Sequence, residues 1–273
     1  MTSTGTLREA QGTPGPTSLP DRGTLARPRP DGSARLLVAS TEPVSVVDGP
    51  GARFTVFLQG CNLDCATCHN PTLIGPSRFA RWRTVAGLVA ELAPRAPFLR
   101  GVTVSGGEAT LQVAGVAALF ATVRADPRLA HLTTLVDSNG TLDTAGWHHL
   151  APVMDGVLLD VKAVGADTHR RITGQGNRAV LASVRTLHRL DRLTEVRLVV
   201  IEGLTDTDEE LARYAGFIAS VDPAIPVRLL PFRHRGVRTP GRVWPETSAG
   251  TVAHVAATLR SHGLTDVRAP TAR

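Results

Sequence analysis

Three cysteines, the whole thiol complement of a 273-residue chain, stand close together as Cys61, Cys65 and Cys68, followed at once by His69, Asn70 and Pro71. Such clustering commits a loop to a metal centre, and the fold must then hold that loop. Thiolates select zinc or iron–sulfur clusters, and structural zinc and ordinary [4Fe–4S] centres each take four ligands. With only three thiols, a cubane bound here keeps one iron open for chemistry. Zinc completed by His69 is the competing reading, disfavoured because a ligand directly after Cys68 points away from the same metal. A ferredoxin-type carrier needs the fourth cysteine that is missing. Three thiols cannot pair completely into disulfides, which fits a reducing compartment.

A formal net charge of +6 and a sequence pI of 10.4 raise the question of nucleic acid. The arginines read as scattered and a single tyrosine is present for base stacking, so the charge is assigned to general surface and an acidic partner. No apolar run reaches the roughly 18 residues that span a bilayer. The start, Met1-Thr2-Ser3-Thr4, lacks the charged-then-apolar order of a signal peptide. A cytoplasmic, monomeric protein is expected. Arginine carries nearly all the positive charge, so the one lysine, Lys162, marks a position where arginine does not serve. The four asparagines, Asn62, Asn70, Asn139 and Asn177, fall in or near the same chemically loaded segments.

Residues 1–34 are rich in Pro, Gly, Thr and Ser without periodicity, which predicts a disordered tail ahead of a core over 35–273, with a C-terminal extension from about 237. Short apolar runs at 53–59, 101–105, 133–137, 156–161, 196–201 and 227–230 read as buried parallel strands. Helical stripes lie between and after them: Val85, Leu88, Val89 and Leu92; Val116, Leu119, Phe120 and Val123; Val180, Leu181, Val184 and Leu187; Leu211, Tyr214, Phe217, Ile218 and Val221; Val252, Val255 and Leu259. Thr205 with Asp208 resembles a capping box. Six strand–helix units predict an α/β fold, a partial (β/α)6 TIM-like barrel, with its chemistry at the C-terminal ends of the strands. Five loaded segments fall there: 61–70, 105–108, 137–140, 160–162 and 231–234.

Gly106 and Gly107 let a ligand approach the backbone, and Glu108 can accept from a cationic amine; a tight turn is the plain alternative. Asp160 and Lys162, two apart on a strand, face one side and suit either a ligand or a structural ion pair. Asp137 and Ser138 offer oxygens to a hydroxyl or a small cation, or else cap a turn.

The run Gly49-Pro50-Gly51-Ala52-Arg53, Phe57, Gly60-Cys61, Cys65, Cys68 and Asn70 resembles the signature of radical S-adenosylmethionine (SAM) enzymes of the glycyl-radical-enzyme activating family. Further matches are Val104 to Ala109, Leu135 to Gly140, Leu159 to Lys162, His169 with Gly174 and Asn177, Arg197 to Val200, and Leu229 to Phe232, so the resemblance spans about 44–236. It implies one [4Fe–4S] cluster on Cys61, Cys65 and Cys68, which are also the catalytic centre, and SAM as second cofactor. It places SAM contacts at Thr67, Cys68 and His69, at Gly107, and at Asp160, Val161 and Lys162, to which the residue chemistry adds Gly106, Glu108, Asp137 and Ser138. The implied activity is reductive cleavage of SAM to a 5′-deoxyadenosyl radical that abstracts a glycine Cα hydrogen from a glycyl-radical enzyme, with a flavodoxin or ferredoxin as reductant. Two positions depart from the family pattern: Thr67 stands where an aromatic residue is usual, and Arg233 where related sequences carry a contacting histidine, with His234 one step later. These departures motivate a second reading, a radical SAM enzyme acting on another peptide, a nucleoside or a small molecule; a non-catalytic iron–sulfur scaffold is the third.

Overall fold

The computed structural model describes residues 28–270, so most of the expected tail lies outside the described residues. The expected tail runs to residue 34, yet 31–34 form a turn. Asp31 Oδ1 accepts from Ser33 N at 2.9 Å, and the carbonyls of Gly32 and Ala34 accept from Ala86 N (3.0 Å) and Val85 N (2.8 Å). Those two donors belong to the first turn of a helix and would otherwise lack partners.

Strands β1 (Arg35–Ser45), β2 (Arg53–Leu58) and β3 (Arg81–Thr84) precede helix α1 (Val85–Leu92). There follow β4 (Gly101–Gly106), α2 (Val113–Ala125), β5 (Thr133–Ser138), α3 (Thr144–Leu150), β6 (Gly156–Asp160), α4 (Ala166–Thr173), α5 (Arg178–Arg189), β7 (Leu193–Val200), α6 (Asp208–Val221), β8 (Val227–Pro231), α7 (Ala249–Ser261) and β9 (Val267–Arg268). They build one mixed sheet in the order β3-β1-β2-β4-β5-β6-β7-β8-β9. The six strands read from sequence pair in parallel in chain order, as a partial barrel requires, and β9 adds a parallel edge. At the other edge β1 runs antiparallel to both β2 and β3.

Register divides the sheet into two faces. Thr55 pairs with Thr103 and Thr103 with Leu135, while Asp137 pairs with Leu158, Leu158 with Glu195, and Asp160 with Arg197. Because side chains alternate, Arg53, Thr55, Thr103, Ser105, Asp137, Asp160, Glu195 and Arg197 share the inner face. Phe54, Val56, Val102, Val104, Val136, Val157, Leu159, Val196 and Leu198 take the other face and form the core with the helices. Arg53 is wholly buried, its fork bonded to Thr103 Oγ1 (2.6 Å), Val102 O (2.8 Å) and Thr133 O (2.9 Å), so its charge stays inside only by satisfying its donors.

The helical stripes fall on α1, α2, α5, α6 and α7 as expected. The capping box does not: Thr207 caps α6, accepting from Glu210 N at 3.3 Å, while Thr205 Oγ1 turns back to Ile201 N (2.8 Å) and Val199 O (2.9 Å). Among the described residues no helix is long and apolar enough to cross a membrane.

Candidate active site

The loop after β2 leaves the sheet through Gln59, whose amide donates to Thr72 O at 2.9 Å and to Gly75 O. Cys61 N reaches Ile74 O (3.0 Å) and Ala66 N reaches Ile172 O (2.9 Å), so the cysteine loop is pinned between the 71–75 turn and the end of α4. Cys61, Cys65 and Cys68 line one cavity of about 260 Å³ with the ends of β4, β5, β6, β7 and β8. Among the described residues, no three His, Cys, Asp or Glu side chains converge on a point suited to a single metal ion. Three thiols spread around one cavity suit a cluster in which each binds a different iron. His69 is engaged elsewhere, with its ring stacked on Phe232 at 5.9 Å and Nε2 at 2.9 Å from Arg233 O.

Burial pushes the Cys61 thiol up to about 11, with Glu108 and the other two cysteines adding to the rise. Burial raises Cys65 as well, against the pull of the Lys162 ammonium. Lys162 Nζ sits 2.8 Å from Asp160 Oδ2. Burial opposes its charge, but Asp160 and the sulfurs of Cys65 and Cys68 hold it above the ordinary lysine range. Asp137 accepts from Ser105 Oγ (3.1 Å) and Arg197 Nη1 (3.2 Å). Burial lifts its carboxyl to about 6, with Arg197 opposing and Asp160 adding to the rise.

Of the expected SAM contacts, Thr67, Cys68, His69, Gly106, Gly107, Asp137, Ser138, Asp160 and Lys162 line this cavity. Gly107 must lack a side chain, since a Cβ there would lie 2.2 Å from Gly60 O. Three residues sit elsewhere. Glu108 is buried behind the rim, bonded to Thr110, Ser138 and Asn139 rather than facing an amine. The Val161 side chain packs in the core. Arg233 is exposed and does not line the cavity, its Nη1 donating to Phe232 O (2.9 Å) and Thr247 O (2.6 Å). His234 also turns away, Nε2 lying 2.7 Å from Trp244 O.

Ser105 and Asn139, from the loaded segments 105–108 and 137–140, also line the cavity, as does Arg197, which lies outside those segments. The signal for Arg197 was a charge inside an otherwise apolar strand, with Glu195 on the same face and its carboxylate 2.8 Å from Arg197 Nε. Asn139 Nδ2 lies 3.0 Å from Asn62 Oδ1 and 3.8 Å from Cys61 Sγ, joining the β5 end to the cysteine loop. Asn177 Nδ2 donates to Val164 O at 2.7 Å, fixing the segment just past Lys162.

A partial barrel that brings three cysteines to the C-terminal strand ends, with no fourth, defines a class, and the chain belongs to the radical SAM superfamily, whose sequence model matches residues 55–215. Within that superfamily it groups with the pyruvate formate-lyase-activating enzymes. It is 36% identical over 206 residues to the enzyme of that name from Streptococcus mutans, covering 73% of this chain and 78% of the relative. The Staphylococcus epidermidis enzyme of the same name is 34% identical over 208 residues, covering 72% and 81%. In fold, the chain is similar to a radical SAM methyltransferase from Sphaerobacter thermophilus (TM-score 0.62, 20% identity, 81% of this chain and 67% of that one). It is also similar to a domain of pyruvate-formate lyase-activating enzyme from Bacteroides vulgatus (TM-score 0.51, 21% identity, 62% and 98%).

Proposed function

We propose that the chain is a glycyl-radical-enzyme activase, cleaving SAM reductively and removing a hydrogen from the Cα of one glycine in a partner protein of the pyruvate formate-lyase kind. The observation that carries the reading is a three-thiol loop facing a cavity lined by Asp137, Asp160, Lys162 and Arg197. Cys61, Cys65 and Cys68 would hold a [4Fe–4S] cluster and leave one iron for the amino and carboxylate groups of SAM. When bound, the two supply one-electron cleavage of the S–C5′ bond, giving methionine and a carbon radical that takes the glycine hydrogen.

The rest is the work of the chain's own groups. The buried Cys61 and Cys65 thiols hold their protons in the free protein, so loading the site releases them. Lys162, fixed by Asp160, offers a cation to the cofactor carboxylate, and Asp137 and Asp160 offer anionic oxygens to its amino and hydroxyl groups. Gly107 lets the cofactor lie against the backbone, and Val199 and Leu230 exclude water on the β7–β8 side. The activity for which the relatives are named supports a protein partner. After anaerobic reconstitution, reduction by dithionite and addition of SAM, 5′-deoxyadenosine is expected, with a glycyl doublet in the EPR spectrum of added pyruvate formate-lyase. No 5′-deoxyadenosine refutes the enzyme; 5′-deoxyadenosine without a doublet transfers the site to another substrate.

A further inference from the structure

Between β8 and α7 the chain forms a strap over the cysteine loop, on the side away from the cavity. Gly236 and Gly241 let the two backbones touch: a Cβ on Gly241 would lie 2.1 Å from Ala66 O, and one on Gly236 2.2 Å from His69 O. Arg238 pairs with Asp64 and donates to Cys65 O at 3.2 Å. No residue of 232–247 lines the cavity, so the cysteine loop has two faces, one towards the substrate space and one under the strap.

The strap is strongly basic. Arg233, Arg235, Arg238 and Arg242 are all exposed, and only Arg238 meets a carboxylate among the described residues. Arg242 Nε bonds the Val237 carbonyl (3.1 Å), and the one acid within the strap, Glu246, accepts from His234 N (2.7 Å). Beside them Val243 is 74% exposed. Unneutralised guanidinium groups around an apolar side chain suit a protein partner with an acidic face, the charges steering encounter and the apolar contact surviving desolvation.

Resting on the function proposed above, we propose that this strap is the docking face for an acidic one-electron carrier protein that reduces the cluster from behind the cysteine loop. The substrate glycine must occupy the cavity, so the electron needs another entrance, and electron transfer falls steeply with distance. The strap's backbone lies directly on the residues flanking Cys65 and Cys68, which makes it the short way in. The carrier is oxidised by one electron, the cluster is reduced by one, and no atom is transferred.

The test uses flavodoxin as probe in two measurements: calorimetric binding to the unloaded full chain at several ionic strengths, and stopped-flow reduction of the reconstituted holoenzyme by flavodoxin hydroquinone. Arg235→Glu and Arg242→Glu should each weaken binding and slow reduction by at least about tenfold, and flatten the salt dependence. Reduction by dithionite should be unchanged. Arg189→Glu, a charge reversal at the end of α5 near the opposite rim, should change neither. If Arg242→Glu fails to load because the strap loosens, Arg235→Glu decides, since Arg235 makes no hydrogen bond in the described structure. Unaltered flavodoxin binding and reduction in Arg235→Glu would overturn the assignment. So would an Arg235→Glu variant that instead loses only nucleic-acid or glycyl-radical-enzyme binding. Failure of the activase reading is seen separately, as no 5′-deoxyadenosine with dithionite while flavodoxin binding persists.

Discussion

A buried carboxylate can hold two loops together only if the donors around it are aimed at it, and at Glu108 four are. Thr110 N (3.0 Å), Thr110 Oγ1 (2.6 Å) and Ser138 Oγ (2.8 Å) reach one oxygen, and Asn139 N (2.7 Å) the other. Burial raises its pKa, opposed by these same bonds. The carboxylate thus splices the end of β4 to the end of β5, and through Asn139 sets the contact with Cys61. Glu108→Ala leaves several donors unsatisfied in the interior and should cost about 2–4 kcal/mol, read as a lower denaturation midpoint of the unloaded protein, with reduced iron content after reconstitution. Glu108→Gln should recover part of both. A loss below about 0.5 kcal/mol in the alanine variant would contradict the splice. Residue types at Gly106-Gly107-Glu108 fit either a ligand contact or a tight turn, and which way the carboxylate faces depends on Ser138 and Asn139 arriving beside it. That is decided by strand order, which composition does not display.

Elements with a strong period were legible, and those with a short or mixed one were not. The six parallel strands and five helices showed themselves through apolar runs and stripes. Helix α3, Thr-Ala-Gly-Trp-His-His-Leu, offers only Trp147 and Leu150 as large apolar residues, and helix α4, Ala-Asp-Thr-His-Arg-Arg-Ile-Thr, only Ile172, so neither carries a stripe. Strand β1 opens on three successive buried residues, Leu36 to Val38, then alternates half-buried and exposed ones, and it shifts register twice against β2, which breaks its period of two. The strap was equally hidden, because its order comes from contact with the cysteine loop rather than from its own pattern. That contact predicts the behaviour of Gly241. In Gly241→Ala the added methyl meets the Ala66 carbonyl, a backbone atom that cannot swing aside, so the strap must lift or the loop must shift. The expected cost is about 1–3 kcal/mol in the unloaded protein, with less cluster retained per chain. Iron content and melting midpoint equal to the parent's would show that the strap does not support the loop.

At the scale of the molecule, the sheet packs hydrocarbon against the helices and gathers its buried charges on the inner face, where they form a ladder. Glu195 holds Arg197 Nε at 2.8 Å and Arg228 Nε at 2.9 Å, and Arg197 reaches on to Asp137 at 3.2 Å. Such an interior is costly to desolvate, and it persists because each charge has a partner of opposite sign. Arg197→Met removes the cation between two acids and keeps most of the volume. It should destabilise the unloaded protein by about 3–5 kcal/mol at pH 8. The pH dependence identifies the cause. In the parent protein Asp137 titrates near 6, above the ordinary aspartate value, because burial outweighs Arg197. The native state therefore binds more protons than the unfolded state between about pH 4 and 6, so this carboxylate's contribution declines across that window and is level above it. Without Arg197 the carboxyl rises further and the decline continues above pH 6. The gap between variant and parent should then be small at pH 5 and should widen from pH 6 to pH 8, as measured by denaturant unfolding at each pH. A gap of equal size at pH 5 and pH 8 would assign the loss to packing and deny the ladder its electrostatic role.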